Sequence, residues 1–439
     1  MSVERLGNGL GDSLGLSIPY NTQALIKQQN IQIGAADRVI LRRLAAGVAE
    51  YAARPLEKAK RELWYNHNDL NDTRPLFFCD PENGWYEILP RNVLECSGSL
   101  ARIWEFMLRK ELFRAEFMRD DKVIEPCFPV CYLFDETDRG IRAAQIGGED
   151  GGAYTWTTPL RDYRQVAELK PSMILVDFEK TDRLLNIARE TFDGLLKVNL
   201  SGAWWWAVAR TDEMAMLRGL ENLMLDVYDN PEGLRDLVDF FHREQSARLD
   251  YLETHSLLSG NWESAYVGSG GFGYTRQLPG ASYDGKHVKT RDMWGFSESQ
   301  ETVGMSPRVF ECFFFDYQCS ILDRFGLNCY GCCEPLDKRW DIIRKIPRLR
   351  RVSVSAWADV GAMAEMLGNR YVYSWKPSPA DISGPYIGEK LLRHKLRAMI
   401  RATRECHVEI IMKDNHTIGN NPENVIQWCR IAAEESGSV

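Results

Sequence analysis

Short apolar runs that stop abruptly at polar or reactive side chains recur along this chain, and stretches with helical spacing separate them. No other feature constrains the fold as tightly. The runs are Leu76 to Asp80, Cys127 to Phe134, Leu195 to Ser201, Ala265 to Gly268, Leu327 to Cys332, Val352 to Ser355, Tyr371 to Trp375 and Val408 to Met412. Asp212 to Tyr228 and Pro231 to Leu252 carry helical patterns between them. Alternating strand and helix specify a parallel sheet, because a parallel neighbour needs a crossover connection, usually a helix. These runs predict an α/β fold of the closed (β/α)8, or TIM-barrel, kind, with Lys289 to Trp294 as a further strand candidate. Three runs end in chemistry: Gly331-Cys332-Cys333-Glu334, Trp375-Lys376-Pro377 and Lys413-Asp414-Asn415-His416. In a barrel such strand ends converge on one mouth, where active sites sit.

A chain of 439 residues accommodates one barrel with an extension. Residues 1–65 are expected to be an N-terminal helical extension, since Asp37 to Ala52 places Val39, Ile40, Leu44, Ala45 and Val48 at helical spacing. Residues 66–439 are expected to form the barrel. The net charge of -8 argues against a nucleic-acid partner, which would need basic surface to neutralise phosphates. There is no run of about 18 apolar residues, and Met1 to Tyr20 lacks the charged start and apolar block of a signal peptide. The expectation is a cytoplasmic protein with no membrane partner. Eleven Cys, an odd number scattered along the chain, do not resemble a secreted disulfide framework. In a reducing compartment, clustered Cys point to metal binding or reactivity.

Three motif series occur in order. The text from Met216 to Leu234 holds a glycine-led helix at Gly219, then Asp229-Asn230-Pro231-Glu232 and another helix. Next come Asp292-Met293-Trp294-Gly295, Met305-Ser306-Pro307 and Phe325-Gly326. Asn421-Pro422-Glu423-Asn424 follows the last run. This series resembles the uroporphyrinogen decarboxylase superfamily over roughly residues 66 to 435. The resemblance implies either porphyrinogen decarboxylation or zinc-dependent methyl transfer involving a corrinoid protein. The decarboxylases carry an arginine-rich segment after the first strand to meet a poly-carboxylate substrate. Phe77 to Asn83 here contains no arginine, which disfavours that branch.

The methyltransferase branch binds zinc through a His-x-Cys after the sixth strand and a later Cys. Aligned here, Tyr330 stands in place of the His, Cys332 matches the Cys, and His416 lies near the later position. The resemblance thus implies zinc held by Cys332, Cys333, Glu334 and His416, with Glu334, Asp292, Tyr330 and Asp414 as candidate catalytic groups. Cys332 and Glu334 would share a face if the strand persisted; the bland alternative is two buried thiols packing as small hydrophobes. Asp414 would orient His416 as a neighbouring acceptor. Asp414-Asn415-His416-Thr417-Ile418-Gly419 also spells a cobalamin-ligand motif, but too few residues follow to supply such a domain, so the corrinoid is expected on a separate protein. Asp292 and Glu298 read either as acid or base groups or as helix caps, and His67 and Asp69 are unassigned. Trp204-Trp205-Trp206 are either core or the wall of an apolar pocket. Gly268 to Gly273 is expected to be a mobile loop over the mouth.

The functional expectation is a metal-dependent methyltransferase acting between a small methylated compound, of ether or amine type, and a corrinoid protein. A homodimer is admissible. The alternatives are a metal-free decarboxylase or lyase, for which Lys376, Lys413 and Arg370 are the available cations, and a non-catalytic binder of a corrinoid protein.

Overall fold

A computed structural model describes residues 31–147, 154–202 and 204–437. The readings of Met1 to Tyr20 and of the extension before residue 31 lie outside the described residues. The strands are β1 (Leu76–Cys79), β2 (Cys127–Cys131), β3 (Phe134–Glu136), β4 (Gln145–Gly147), β5 (Tyr154–Trp156), β6 (Ile174–Val176), β7 (Lys197–Ser201), β8 (Trp294–Ser297), β9 (Leu327–Tyr330), β10 (Leu349–Val354), β11 (Val372–Trp375) and β12 (His407–Met412). Six of them form one parallel sheet in the order β1-β12-β11-β10-β9-β8, with Phe78 opposite Ile411 and Trp375 opposite Ile410. β2 and β7 form a separate parallel pair, and β3-β6 and β4-β5 are antiparallel pairs.

The fold is therefore α/β around a parallel sheet, and among the described residues no ladder joins β1 to β2 or β7 to β8. Irregular chain satisfies both sheet edges instead, as buried backbone groups require. On β1 the Asp121 N–H donates to Phe77 O (3.0 Å), while the Phe77 and Cys79 N–H groups donate to the Asp121 and Asp120 carboxylates at 2.9 and 3.2 Å. On β8 the Val208 N–H donates to Phe296 O at 3.0 Å.

Every residue of β1, β8, β9, β11 and β12 is buried, because both faces of the sheet are covered. Side chains alternate between those faces. Phe77, Tyr330, Val352, Ile410 and Met412 join the main core with the surrounding helices, including Glu423–Glu435. Phe78 and Ile411 face the other way, against Trp64, Tyr266 and Phe272. Cys329 and Phe296 pack there with Val267 and, at the margin, Trp206. Helix Pro55–Asn68 delivers Trp64 to that inner face, and Asn68 Nδ2 donates to the Phe272 and Tyr274 carbonyls at 2.9 and 2.8 Å.

Several expectations change. Ala265 to Gly268 is not a strand: it makes one isolated bridge, Tyr266 to Phe272, and Trp294–Ser297 supplies the ladder instead. Gly268 to Gly273 is not a loop over the mouth; it is buried against the inner face. Gly271 has φ +137°, and a Cβ there would lie 2.9 Å from both Arg351 Cζ and Glu409 Oε1, so only glycine fits that approach. β9 ends at Tyr330, two residues earlier than its apolar run, because Gly331 takes φ +96° and turns the chain. In helix Ala35–Ala52 the buried stripe is Leu41, Leu44, Ala45 and Val48, whereas Val39 is exposed. Burying each such Leu stabilises by about 2 kcal/mol, here against helix Ser99–Phe113. Among the described residues no helix is long and apolar enough to cross a membrane.

Candidate active site

Residues that follow the C-terminal ends of β1, β9 and β12 meet in one polar cluster, joined by Ser269 from the glycine-rich segment. Cys332 is 5% exposed, and its sulfur accepts from the Ser269 hydroxyl at 3.2 Å. The exposed Cys333 places its sulfur 3.7 Å from that of Cys332 and 3.6 Å from Asp414 Oδ2. Buried Lys413 reaches Ser269 Oγ (3.5 Å), Asp414 Oδ1 (3.3 Å) and Glu82 Oε1 (3.8 Å), with its ammonium 5.6 Å from the centre of the Trp206 ring. Glu82 and Asp414 both hold positive φ, +47° and +62°, an uncommon conformation for side chains other than glycine. Such strained positions concentrate at functional sites.

The charges sort themselves by environment. The hydrogen bond from Cys333, with help from Lys413 and Ser269, outweighs burial and lowers the Cys332 thiol to about 6, so it is a thiolate at neutral pH. The same contact, with burial, pushes the Cys333 thiol far up. Burial, reinforced by Asp414 and Asp80, raises Glu82 to about 8 despite Lys413, leaving it a neutral acid near pH 7. Lys413 is disfavoured by burial, yet the negative groups around it, Cys332 and Asp414 foremost, keep it charged. Beneath the cluster, burial lowers Lys376 to about 8; its Nζ donates to Ser374 Oγ at 2.5 Å, and Ser374 in turn bonds Glu409. Glu409 is held near 2 against the cost of burial by Arg351 (3.0 Å) and His67 (3.3 Å).

A cavity of about 1020 Å³ is connected to the cluster through Tyr266 and Trp206, while Glu82, Ser269, Cys332, Lys413 and Asp414 are not among its lining residues. Its wall includes Trp204, Trp205, Trp206, Tyr132, Tyr266 and Phe296. Tyr266 and Trp206 belong to both places: Tyr266 feels the charges of Lys413, Asp80 and Glu82, and Trp206 faces Lys413. Among the described residues the Trp206 Nε1, the Tyr266 hydroxyl and Glu82 Oε1 have no hydrogen-bond partner, although all three are buried. Buried polar atoms normally find partners, so these three are exceptions that retain unused donor or acceptor capacity.

The residues singled out from the sequence are distributed unevenly. Cys332, Cys333 and Asp414 come together. Glu334 lies beside them, but the turn at Gly331 removes the assumed strand alternation. Its two oxygens accept from the Cys332 and Ser299 N–H groups at 2.8 and 3.0 Å, and burial raises it to about 7. Tyr330 points to the helix side, where its hydroxyl donates to Gln318 Oε1 at 2.9 Å. Asp292 precedes β8, so it stands at the opposite end of the strand from the cluster, and its Oδ2 accepts from Lys289 N–H. Glu298 accepts from Gln300 N–H as a turn cap and is kept protonated by burial and by Glu301 and Glu334. His416 is exposed. His67 belongs to the Glu409 network, and Asp69 accepts from the Thr275 hydroxyl at 2.5 Å. Glu82, Ser269 and Tyr266 were not foreseen. Glu82 obeys the strand-end rule that revealed Cys332; nothing in the sequence around Ser269 marks it.

A zinc site needs several thiolate, imidazole or carboxylate donors converging on one point. Among the described residues no three His, Cys, Asp or Glu side chains are so arranged. The four expected ligands do not form that set: Glu334 spends both oxygens on backbone donors, His416 is exposed, and a buried ammonium, Lys413, already stands by the Cys332 sulfur.

No family model matches this sequence, and no curated protein matches it. Among solved structures, a methyltransferase from Methanosarcina mazei aligns with 86% of this chain and 98% of its own, at 9% identity and a TM-score of 0.49. A likeness that distant carries no argument about function.

Proposed function

We propose that this chain is a methyltransferase of the uroporphyrinogen decarboxylase type, with residues 66–439 as a closed barrel behind the extension 1–65. It moves a methyl group from a small methylated compound to a separate corrinoid protein. The observation that carries the reading is the junction of two environments: an aromatic-walled cavity beside a buried thiolate, ammonium and neutral carboxyl. The motif series supplies the barrel and the corrinoid partner; the arrangement of groups supplies the roles.

The cavity takes the apolar body of the methyl donor, and its aromatic wall excludes water. Losing a methyl group leaves an electron pair on the donor's oxygen or nitrogen, and that pair must be neutralised. Glu82, protonated at neutral pH with Oε1 unpartnered, gives its proton to the departing heteroatom as the carbon–heteroatom bond breaks. Lys413, 3.8 Å away, then balances the new carboxylate and stabilises charge as it develops. The Cys332 anion keeps Lys413 protonated in a buried place where a lone ammonium would lose its proton. The corrinoid is the methyl acceptor and a substrate here, not a resident group.

The test supplies the purified chain with methylated aromatic ethers and amines and a reduced corrinoid, and follows methylation of the corrinoid. Glu82→Gln is expected to lower turnover by about 10²-fold, the usual contribution of a general acid. Full turnover in that variant would remove Glu82 from the mechanism; no transfer from any donor by folded wild-type protein would remove the activity.

One observation favours a second reading. Two lysines, Lys376 and Lys413, are buried at the mouth, and buried cations suit an anionic substrate. A metal-free decarboxylase or lyase would release carbon dioxide from a carboxylic acid without any corrinoid.

A further inference from the structure

We infer that Cys332 and Cys333 together form a reversible oxidation site, in which a peroxide oxidises Cys332 and Cys333 closes a disulfide between the two neighbouring residues. The pair has the layout this chemistry needs. The sulfurs lie 3.7 Å apart, one buried in the site and one exposed. The Ser269 hydroxyl donates to the Cys332 sulfur at 3.2 Å, and the Lys413 ammonium reaches the same Ser269 oxygen at 3.5 Å, so the inner sulfur sits in a corner that holds a hydroxyl donor and a cation alongside the Asp414 carboxylate. Reactive cysteines occur in such corners, and a resolving thiol beside them makes the oxidation reversible. Neither Cys332 nor Cys333 is tied up in a disulfide, so both are available as thiols.

The steps balance. The Cys332 thiolate attacks one peroxide oxygen, forming an S–O bond and breaking the O–O bond; the leaving hydroxide takes from solvent a proton equivalent to the one Cys332 released on ionising, and departs as water. The Cys333 sulfur then attacks the sulfenic sulfur of Cys332, forming the S–S bond and displacing the second oxygen. The Cys333 proton passes by way of Asp414 Oδ2, 3.6 Å from that sulfur, to the displaced hydroxide, which departs as the second water. Two thiols have lost two electrons and two protons, and the peroxide has been reduced to water.

Geometry also sets the lifetime of the product. Adjacent Cα atoms are about 3.8 Å apart across a trans peptide, shorter than the roughly 4.4–6.8 Å that disulfides usually span. The closed pair is strained, and a strained disulfide is readily reduced by free thiols. Oxidation removes the anion at Cys332 and the thiol donor at Cys333 together, so it silences the site until a reductant restores it. This inference rests on the sulfur geometry and does not depend on methyl transfer.

The experiment treats full-length protein with hydrogen peroxide, alkylates the remaining thiols and weighs the peptide that spans residues 332 and 333. Wild type is expected to lose both alkylation sites on that peptide and to become lighter by two hydrogens, with full recovery after dithiothreitol; the exposed Cys312 serves as internal reference and stays alkylatable. Cys333→Ser, a substitution at an exposed side chain, is expected to give a sulfenic acid that dimedone traps and that further peroxide carries irreversibly to sulfinic acid. Phenylarsine oxide, which needs two thiols, is expected to bind wild type and to lose that binding in Cys333→Ser, which reads the pair without any oxidant. Retention of both thiols after peroxide, or pairing of Cys332 with any cysteine other than Cys333, overturns the inference. A wild type that closes the disulfide yet transfers no methyl group would leave this site standing while the proposed activity falls.

Discussion

Replacing Lys413 by methionine tests how this fold makes a thiolate. The two contacts through Ser269 Oγ, 3.2 Å to Cys332 Sγ and 3.5 Å from Lys413 Nζ, place the ammonium no more than about 6.7 Å from the sulfur. A unit charge at that distance is worth about 2.5 kcal/mol at an effective dielectric near 20, or close to two pK units. The Cys332 thiol should therefore titrate about two units higher in Lys413→Met than in its parent. Ionisation is read as the pH dependence of alkylation at Cys332, resolved by peptide mapping, in a Cys333→Ala background for both proteins so that the outer thiol does not consume the reagent. That background forfeits the donor hydrogen bond equally in both, so the difference between them isolates the lysine. Lys413→Arg keeps the charge and should stay close to the parent. If Lys413→Met and its parent titrate together, the lysine does not stabilise the thiolate, and the role of Cys332 in holding Lys413 charged falls with it.

Activity should follow a bell with an acid limb near 6, where Cys332 must be ionised, and an alkaline limb near 8, where Glu82 must keep its proton. Glu82→Gln should abolish the alkaline limb; a limb that survives there but shifts in Lys376→Arg belongs to Lys376 instead, which is also lowered to about 8. Glu334→Gln should destabilise the fold by about 2–4 kcal/mol in denaturant unfolding, because an amide can accept only one of the two backbone N–H bonds that the carboxylate accepts; a wild-type midpoint would show those bonds contribute little. Gly271→Ala should cost about 3 kcal/mol or more by the same measurement, since its Cβ has no space beside Arg351 and Glu409. Dialysis against a chelator should leave the Cys332 titration unchanged, and a shift on adding zinc back would restore a metal to the site.

The sequence by itself determined the strand–helix alternation and pointed to Cys332, Cys333 and Asp414, because an apolar run that ends in reactive groups is visible without any knowledge of packing. The residues that carry the family resemblance were legible for a different reason. Asp226 accepts from Tyr163 at 2.8 Å and from Arg218, Asn424 bridges the carbonyls of Ile382, Gly384 and Ile418, and Ser306 caps the helix after it. These are fixtures of the fold, some made with near neighbours and some across 40 to 63 residues of chain, so they speak about architecture and leave the chemistry open. Only the tertiary structure decided the donors around the thiol. Ser269, Lys413 and Glu82 come from segments far apart in the chain, and what each contributes depends on burial and distance rather than on its neighbours in sequence. Tyr330 and Asp292 show the same limit from the other side. Tyr330 ends one strand and Asp292 precedes another, yet the face or end of the strand on which a residue falls is fixed by pairing register and by Gly331 turning the chain, and those are properties of the assembled sheet.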